Sequence, residues 1–209
     1  MTDALVIVFV KNIKLGKVKT RLAKTIGDYG AFEVYSELVK ITEKATVNLD
    51  YDKRIHFSEA VVSSKWKDDY KTVQNGDDLG ERMLNAFKEG FDAGYKKIVL
   101  IGSDLPYIDA AHIKKGIEAL DSSEVVFGPA EDGGYYLIGL QKLIPEIFID
   151  KSWSQPNLLK ETLQELQKLK VSVSKLDTLN DIDTYEDLIA SAFYKSNLKL
   201  QEKIQQFND

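Results

Sequence analysis

Apolar and polar positions along this chain switch repeatedly between two rhythms. Ala4–Val10 is an unbroken apolar run rich in β-branched residues, the pattern of a central strand buried on both faces. Phe32, Tyr35, Leu38, Val39, Thr42 and Ala45 then recur at helical spacing. Further strands are predicted over 53–57, 97–101, 124–127, 135–140 and 171–176, each bounded by polar or turn-forming residues. Between them, Leu79, Met83, Phe87 and Phe91 form one helix face. Ile113, Ile117 and Leu120 form a second, and Leu158, Thr162, Leu163, Leu166 and Leu169 a third. Residues 58–76 follow neither rhythm clearly, and Val61, Trp66, Tyr70 and Val73 are expected to anchor an irregular segment with a short strand.

Helix starts carry their own signals. Asp78 with Glu81, and Thr184 with Asp187, have capping-box spacing, and Asp109 can cap the helix that follows it. Leu200, Ile204 and Phe207 predict a terminal helix over about 194–207. Strands that alternate with helices specify an α/β protein, a three-layer α/β/α sandwich around a mostly parallel sheet. No linker or repeat interrupts residues 1–209, which read as one domain.

Composition narrows the class of function. Lys and Arg number 28 against 33 Asp and Glu, and the net charge of -5 argues against nonspecific nucleic-acid binding. The absence of cysteine excludes disulfides, thiolate zinc sites and cysteine nucleophiles. Ala4–Val10 is far shorter than the roughly 20 residues that span a bilayer. Lysines follow it rather than precede it, unlike a signal peptide, so a cytoplasmic location is expected.

The chemistry concentrates at strand ends. The first strand runs into a basic loop containing Lys11, Gly16, Lys19, Thr20 and Arg21. A glycine among cations at that place suits a diphosphate, with Arg21 able to grip two oxygens and Lys19 acting as a point charge. A solvated basic turn would look the same. The loop is not a P-loop, because Gly16 is the only glycine between Met1 and Gly27. Asp104 follows the 97–101 strand and can either hold Mg²⁺ or Mn²⁺ or cap the turn before Pro106. Asp132 lies in Gly128-Pro129-Ala130-Glu131-Asp132-Gly133-Gly134-Tyr135-Tyr136, where paired glycines allow a ligand close to the backbone. It is a second metal ligand, an acceptor base or a plain turn residue. Gly76 and Arg82 flank a helix start that could meet a nucleotide, although capping accounts for Asp78 and Glu81. Tyr135 and Trp153 are candidates to face a substrate, Trp153 equally a core residue. Asp181 and Asp183 precede a helix, with Asp183 favoured as a cap or a supporting group. Neither His56 nor His112 has a paired acid in sequence, and neither reads as catalytic.

These segments together resemble DUF2064, a bacterial family of small GT-A-like proteins often described as candidate glycosyltransferases. The resemblance rests on Gly16-x-Val18-Lys19-Thr20-Arg21-Leu22, Gln74-x-Gly76-x-Asp78-Leu79-Gly80-Glu81-Arg82-Met83, Gly102-Ser103-Asp104-x-Pro106 and Gly128-Pro129-Ala130-x-Asp132-Gly133-Gly134-Tyr135-Tyr136. Trp153-Ser154 and Asp181-Ile182-Asp183-Thr184 match more weakly. Two departures stand out: Ile13 and Leu15 where the loop often has proline, and Ser103-Asp104-Leu105 in place of Asp-x-Asp. The resemblance implies a Rossmann-like nucleotide-diphospho-sugar transferase fold, with Asp104 placed to bind the donor's divalent ion. It implies glycosyl transfer from a nucleotide-diphosphate sugar to an unknown acceptor. Nucleotidyl transfer to a phosphorylated small molecule, with release of pyrophosphate, is the alternative. A nucleotide-binding protein without catalysis is a third reading. No nucleic-acid partner and no membrane span are expected.

Overall fold

The computed structural model describes residues 2–206. In chain order the strands are β1 (Ala4–Val10), β2 (Asp52–Phe57), β3 (Tyr70–Val73), β4 (Lys97–Ile101), β5 (Val125–Pro129), β6 (Tyr135–Leu140) and β7 (Val173–Lys175). The helices are α1 (Thr20–Val47), α2 (Leu79–Asp92), α3 (Ala110–Ala119), α4 (Leu158–Lys168), α5 (Tyr185–Ala190), α6 (Ala192–Lys195) and α7 (Leu198–Gln206), with a 3₁₀ turn at Pro145–Ile147. The strands make a seven-stranded sheet in the order β3-β2-β1-β4-β6-β5-β7. Only β6 runs against its neighbours; every other pairing is parallel.

Alternation along the strands builds two cores from one sheet. Val6, Val8 and Val10 of β1 point to one face, where Tyr35 and Val39 of α1 and Ile113 and Ile117 of α3 cover them. Leu5, Ile7 and Phe9 point to the other, under Met83 and Phe87 of α2 and Leu159 and Leu166 of α4. All seven residues of β1 are buried, because helices lie on both sides of the central strand. The outer face of α1 carries a third cluster, in which Leu22, Val34 and Leu38 pack against Leu188, Leu200 and Ile204.

Local signals act as expected at most helix starts. The Asp78 carboxylate accepts the Glu81 N–H at 2.9 Å and that of Asp109 accepts the His112 N–H at 2.9 Å. Each such cap contributes about 1 kcal/mol. Thr184 and Asp187 make a reciprocal capping box. Glu81 instead accepts the N–H of Asp77, one residue before the position that a box requires.

Three expectations are corrected. Of the supposed anchors in 58–76 only Trp66 is buried; Tyr70 and Val73 are exposed on β3, the edge strand of the sheet, and Val61 is exposed in the irregular segment before it. The first helix begins at Thr20, well before Phe32, and continues through a kink at Gly27. The terminal helix is split into α6 and α7, and its expected end at Phe207 lies outside the described residues.

From β1 the chain steps outward to β2 and β3, then returns to place β4 on the other side of β1. Connections that leave two adjacent parallel strands in opposite directions open a crevice at their carboxyl ends. Val10 and Ile101 end at that crevice, so the residues following them decide what it binds.

Candidate active site

Polar pins hold the three loops around the crevice. The Tyr35 hydroxyl accepts the Lys11 N–H at 3.0 Å and lies 2.8 Å from Ser103 Oγ, tying α1 to the ends of β1 and β4. Burial pushes the Tyr35 phenol up, so it stays a neutral partner. Asn12, itself buried, accepts the N–H groups of Glu59 and Ala60 and donates to the Ala60 carbonyl at 2.7 Å. The loop after β1 is thereby fixed to the loop after β2.

At the start of α1, Lys19 adopts the left-handed conformation, with φ 46° and ψ 50°. A side chain pays roughly 1–2 kcal/mol for that backbone. The turn aims Lys19 inward, where its Nζ lies 3.1 Å from Asp104 Oδ2 and 3.7 Å from Asp181 Oδ2. Burial alone would pull this ammonium down, but the carboxylates of Asp104, Asp181 and Asp183 outweigh it and hold its pKa above the ordinary value. Asp181 is pushed up to about 6, first by burial and then by the Asp104 charge; Asp132 and Asp183 add to the effect and Lys19 opposes it.

Beside this cluster lies a cavity of about 250 Å³, and Asp104, Asp132 and Asp181 all line it. Asp132 is positioned by its own turn, accepting the Gly134 N–H at 2.9 Å. Most of the remaining lining is apolar, with Phe9, Leu79, Met83, Trp153 and Leu158 among it. Leu79 is 45% exposed although it sits on the predicted buried face of α2, because that end of the helix borders the cavity. Tyr135 lines the cavity too, and its hydroxyl is buried without a hydrogen-bond partner.

The structure gathers part of the expected residue set. Asp104, Asp132, Gly134, Tyr135 and Trp153 border one cavity, with Lys19 against its acidic wall. Arg21 does not line the cavity; it is 64% exposed, with Nη1 2.7 Å from Asp183 Oδ2 and no ion pair to Asp104 or Asp132. Asp183 is therefore the counter-ion of Arg21, and the helix cap is Thr184. Lys11, Gly16, Thr20, Gly76 and Arg82 do not line the cavity, and Arg82 donates from Nε to the Gly76 carbonyl at 2.9 Å. Gly133 has a different reason from the one expected. At φ 89° a Cβ there would stand 1.9 Å from the Pro156 carbonyl oxygen, so the chain itself occupies the space reserved for a ligand. Asp181, noted in the sequence only as an acid before a helix and in a weak family match, is the group that was not assigned to the site. The bridge between Ala130 and Leu179 brings it beside the Asp132 loop.

An all-oxygen donor set suits Mg²⁺ or Mn²⁺. Among the described residues no three acids or imidazoles stand close enough to grip a metal as they are placed. A cation is nevertheless stabilised between Asp104 and Asp181, where the Lys19 ammonium lies. The two carboxylates are oxygen donors of the kind Mg²⁺ or Mn²⁺ prefers, and as placed their cation is the Lys19 ammonium.

The family described as "Uncharacterized protein conserved in bacteria (DUF2064)" matches residues 43–155. A crystal structure of a candidate nucleotide-diphospho-sugar transferase from Desulfovibrio desulfuricans superposes with a TM-score of 0.85 at 29% identity, over 99% of both chains. The fold is accordingly that of the nucleotide-diphospho-sugar transferases. An inositol-1-phosphate CTP transferase from T. maritima shares the fold at 17% identity, with a TM-score of 0.55 over 96% of each chain. A 2-phospho-L-lactate guanylyltransferase from Methanocaldococcus vulcanius is 24% identical over 87% of this chain and 82% of its own length.

Proposed function

This chain belongs to the DUF2064 family, and from that premise we propose that it transfers a sugar from a nucleotide-diphosphate donor to an acceptor hydroxyl with the help of a divalent cation. The observation that carries this reading is the buried ammonium between Asp104 and Asp181 at the switch point of the sheet. A place that stabilises positive charge beside a sugar-sized cavity is what a metal-bound diphosphate requires.

Asp104 and Asp181 would hold the Mg²⁺ or Mn²⁺, whose contribution is to neutralise the diphosphate as it departs. Lys19, released from the two acids, turns its charge toward the phosphates. Arg21 would reach them by leaving Asp183, a swing that costs little for so exposed a pair. Asp132 stands on the cavity side and takes the proton from the acceptor hydroxyl. The acceptor oxygen forms its bond to the anomeric carbon while the bond from that carbon to the diphosphate oxygen breaks. The nucleoside diphosphate leaves with the electron pair.

Nucleotidyl transfer is the second reading, favoured by the guanylyltransferase that resembles this chain over most of its length. The same Lys19 and cation pair would then serve a triphosphate, and pyrophosphate would be released. Calorimetric titration with UDP and GDP, with and without Mn²⁺, tests the shared core of both. Asp104→Asn is expected to abolish the metal-dependent part of the affinity while the protein stays folded. Unchanged affinity would reduce Asp104 to a turn residue. Release of pyrophosphate from a nucleoside triphosphate and a phosphorylated acceptor would select the second reading over the first.

A further inference from the structure

Residues 148–156 connect the 3₁₀ turn to α4 without forming a helix or strand of their own. Trp153, Ser154 and Gln155 of this segment line the cavity. Two left-handed residues shape it, Asp150 at φ 54° and Ser154 at φ 62°. Neither is glycine, so each conformation is disfavoured by itself and persists because the contacts around it determine it. Those contacts are close at two places. At Gly80, in the first turn of α2, a Cβ would stand 2.2 Å from the Phe148 carbonyl oxygen and 2.8 Å from Trp153 Cζ2. At Gly133, next to Asp132, a Cβ would stand 1.9 Å from the Pro156 carbonyl oxygen. The segment thus rests on the start of α2 and on the Asp132 turn at once. Just beyond it, the Leu159 N–H donates to the Gly133 carbonyl at 3.0 Å.

Lys151 lies between these two seats in the chain, does not line the cavity, and pairs with Glu165 of α4. Its side chain is only 7% exposed, whereas Glu165 is 45% exposed. A lysine left to itself keeps its ammonium in water, and one so buried is held there by its partner. The ion pair therefore pins the middle of the segment to a packed helix. The glycine seats are close approaches of backbone, which open as soon as the segment lifts; the charged tie is what opposes lifting. Asp132 depends on this arrangement. Its carboxylate accepts the Gly134 N–H of its own turn, so the placement of the turn sets the placement of the acid.

We propose that Lys151 is a positioning residue: latched to Glu165, it holds residues 148–156 as a strap across Gly80 and Gly133, and the strap fixes the Asp132 turn relative to the start of α2. The inference goes beyond the transferase reading and is decided without nucleotide, metal or acceptor. Hydrogen exchange read by mass spectrometry on the full chain tests it in Lys151→Met, which keeps the apolar stem and removes the charge. The Gly133 N–H donates to the Ala130 carbonyl and the Gly134 N–H to Asp132, so these amides report on the turn. Those of Glu81 and Arg82, both bonded to Asp78, report on the start of α2. Exchange is expected to rise at least about tenfold over 130–134 and 79–82 as well as in the strap, and to stay unchanged in β2. Trp153 emission should shift to the red. Trp66, the other tryptophan, is buried in the opposite core with its indole N–H bound to Thr46 Oγ1 and supplies a constant background. Glu165→Gln cuts the same latch from its half-exposed end and carries the test if Lys151→Met does not fold. Lys203→Met breaks a different ion pair, with Glu33, and should leave the Asp132 turn as protected as before. Faster exchange confined to residues 148–156 would reduce Lys151 to a local anchor and overturn the inference. An equal rise in β2, the mark of a general loss of stability, or no rise at all would overturn it too.

Discussion

Replacing Lys19 with methionine keeps the length and the apolar stem of the side chain but removes the charge from between Asp104 and Asp181. Losing one partner of a buried ion pair costs about 3–5 kcal/mol. Here Asp104 is 39% exposed and Asp181 23%, so water recovers part of the loss, and about 2–3 kcal/mol is expected at pH 8. The sign of the pH dependence follows from the two shifts. The folded-state pKa of Lys19 lies above its ordinary value, so its contribution is complete at pH 8 and fades only as pH rises through the folded value. In Lys19→Met the Asp181 carboxyl, already pushed up to about 6, loses its compensating cation and rises further. Lowering the pH to 5 then protonates it and relieves the repulsion among the acids. Urea denaturation followed by tryptophan emission should show a smaller loss at pH 5 than at pH 8, by about 1 kcal/mol or more. Millimolar Mn²⁺ should restore part of the loss at pH 8, because the vacated position favours a cation. An equal loss at both pH values, or no effect of Mn²⁺, would refute the reasoning that a charge balance holds this wall together.

Two further outcomes bear on the scaffold. His56 is packed against Phe9 with its Nε2 unpartnered, and burial, aided by the Arg54 charge, pushes its pKa down to about 4. The unfolded chain takes up that proton near pH 6.5, so stability should be complete above that value and decline toward pH 4, by up to about 3 kcal/mol; His56→Leu should flatten this limb of the denaturation profile, and an unchanged slope would exclude His56 as its source. Gly133→Ala combines positive φ with the Pro156 clash and should cost roughly 2–4 kcal/mol, whereas Gly94→Ala, with φ 95° and open space around it, should cost only about 1–2 kcal/mol. Equal losses in chemical denaturation would show that the contact with Pro156 is immaterial.

What the amino-acid order determines by itself is local. Unbroken apolar β-branched runs specify buried strands, helical spacing specifies which faces of α2, α3 and α4 pack, and Asp78, Asp109 and Thr184 mark helix starts, because propensity and capping act over a few residues. The candidate site was legible wherever an acid or glycine directly follows such a strand, as with Asp104 and Asp132. Tertiary structure decided the rest. Lys19 is separated from Asp104 by 85 residues, and only the order of the strands brings them together. Asp181 joins them because an isolated bridge at Leu179 lays its segment beside the Asp132 loop, and a single bridge leaves no periodic trace in sequence. Gly133 reads as a ligand contact until Pro156 is seen filling its space. Leu79 reads as core until the cavity next to it appears. Charge balance in a cleft is a property of distances and burial, and neither can be read along the chain until the sheet has set which loops meet.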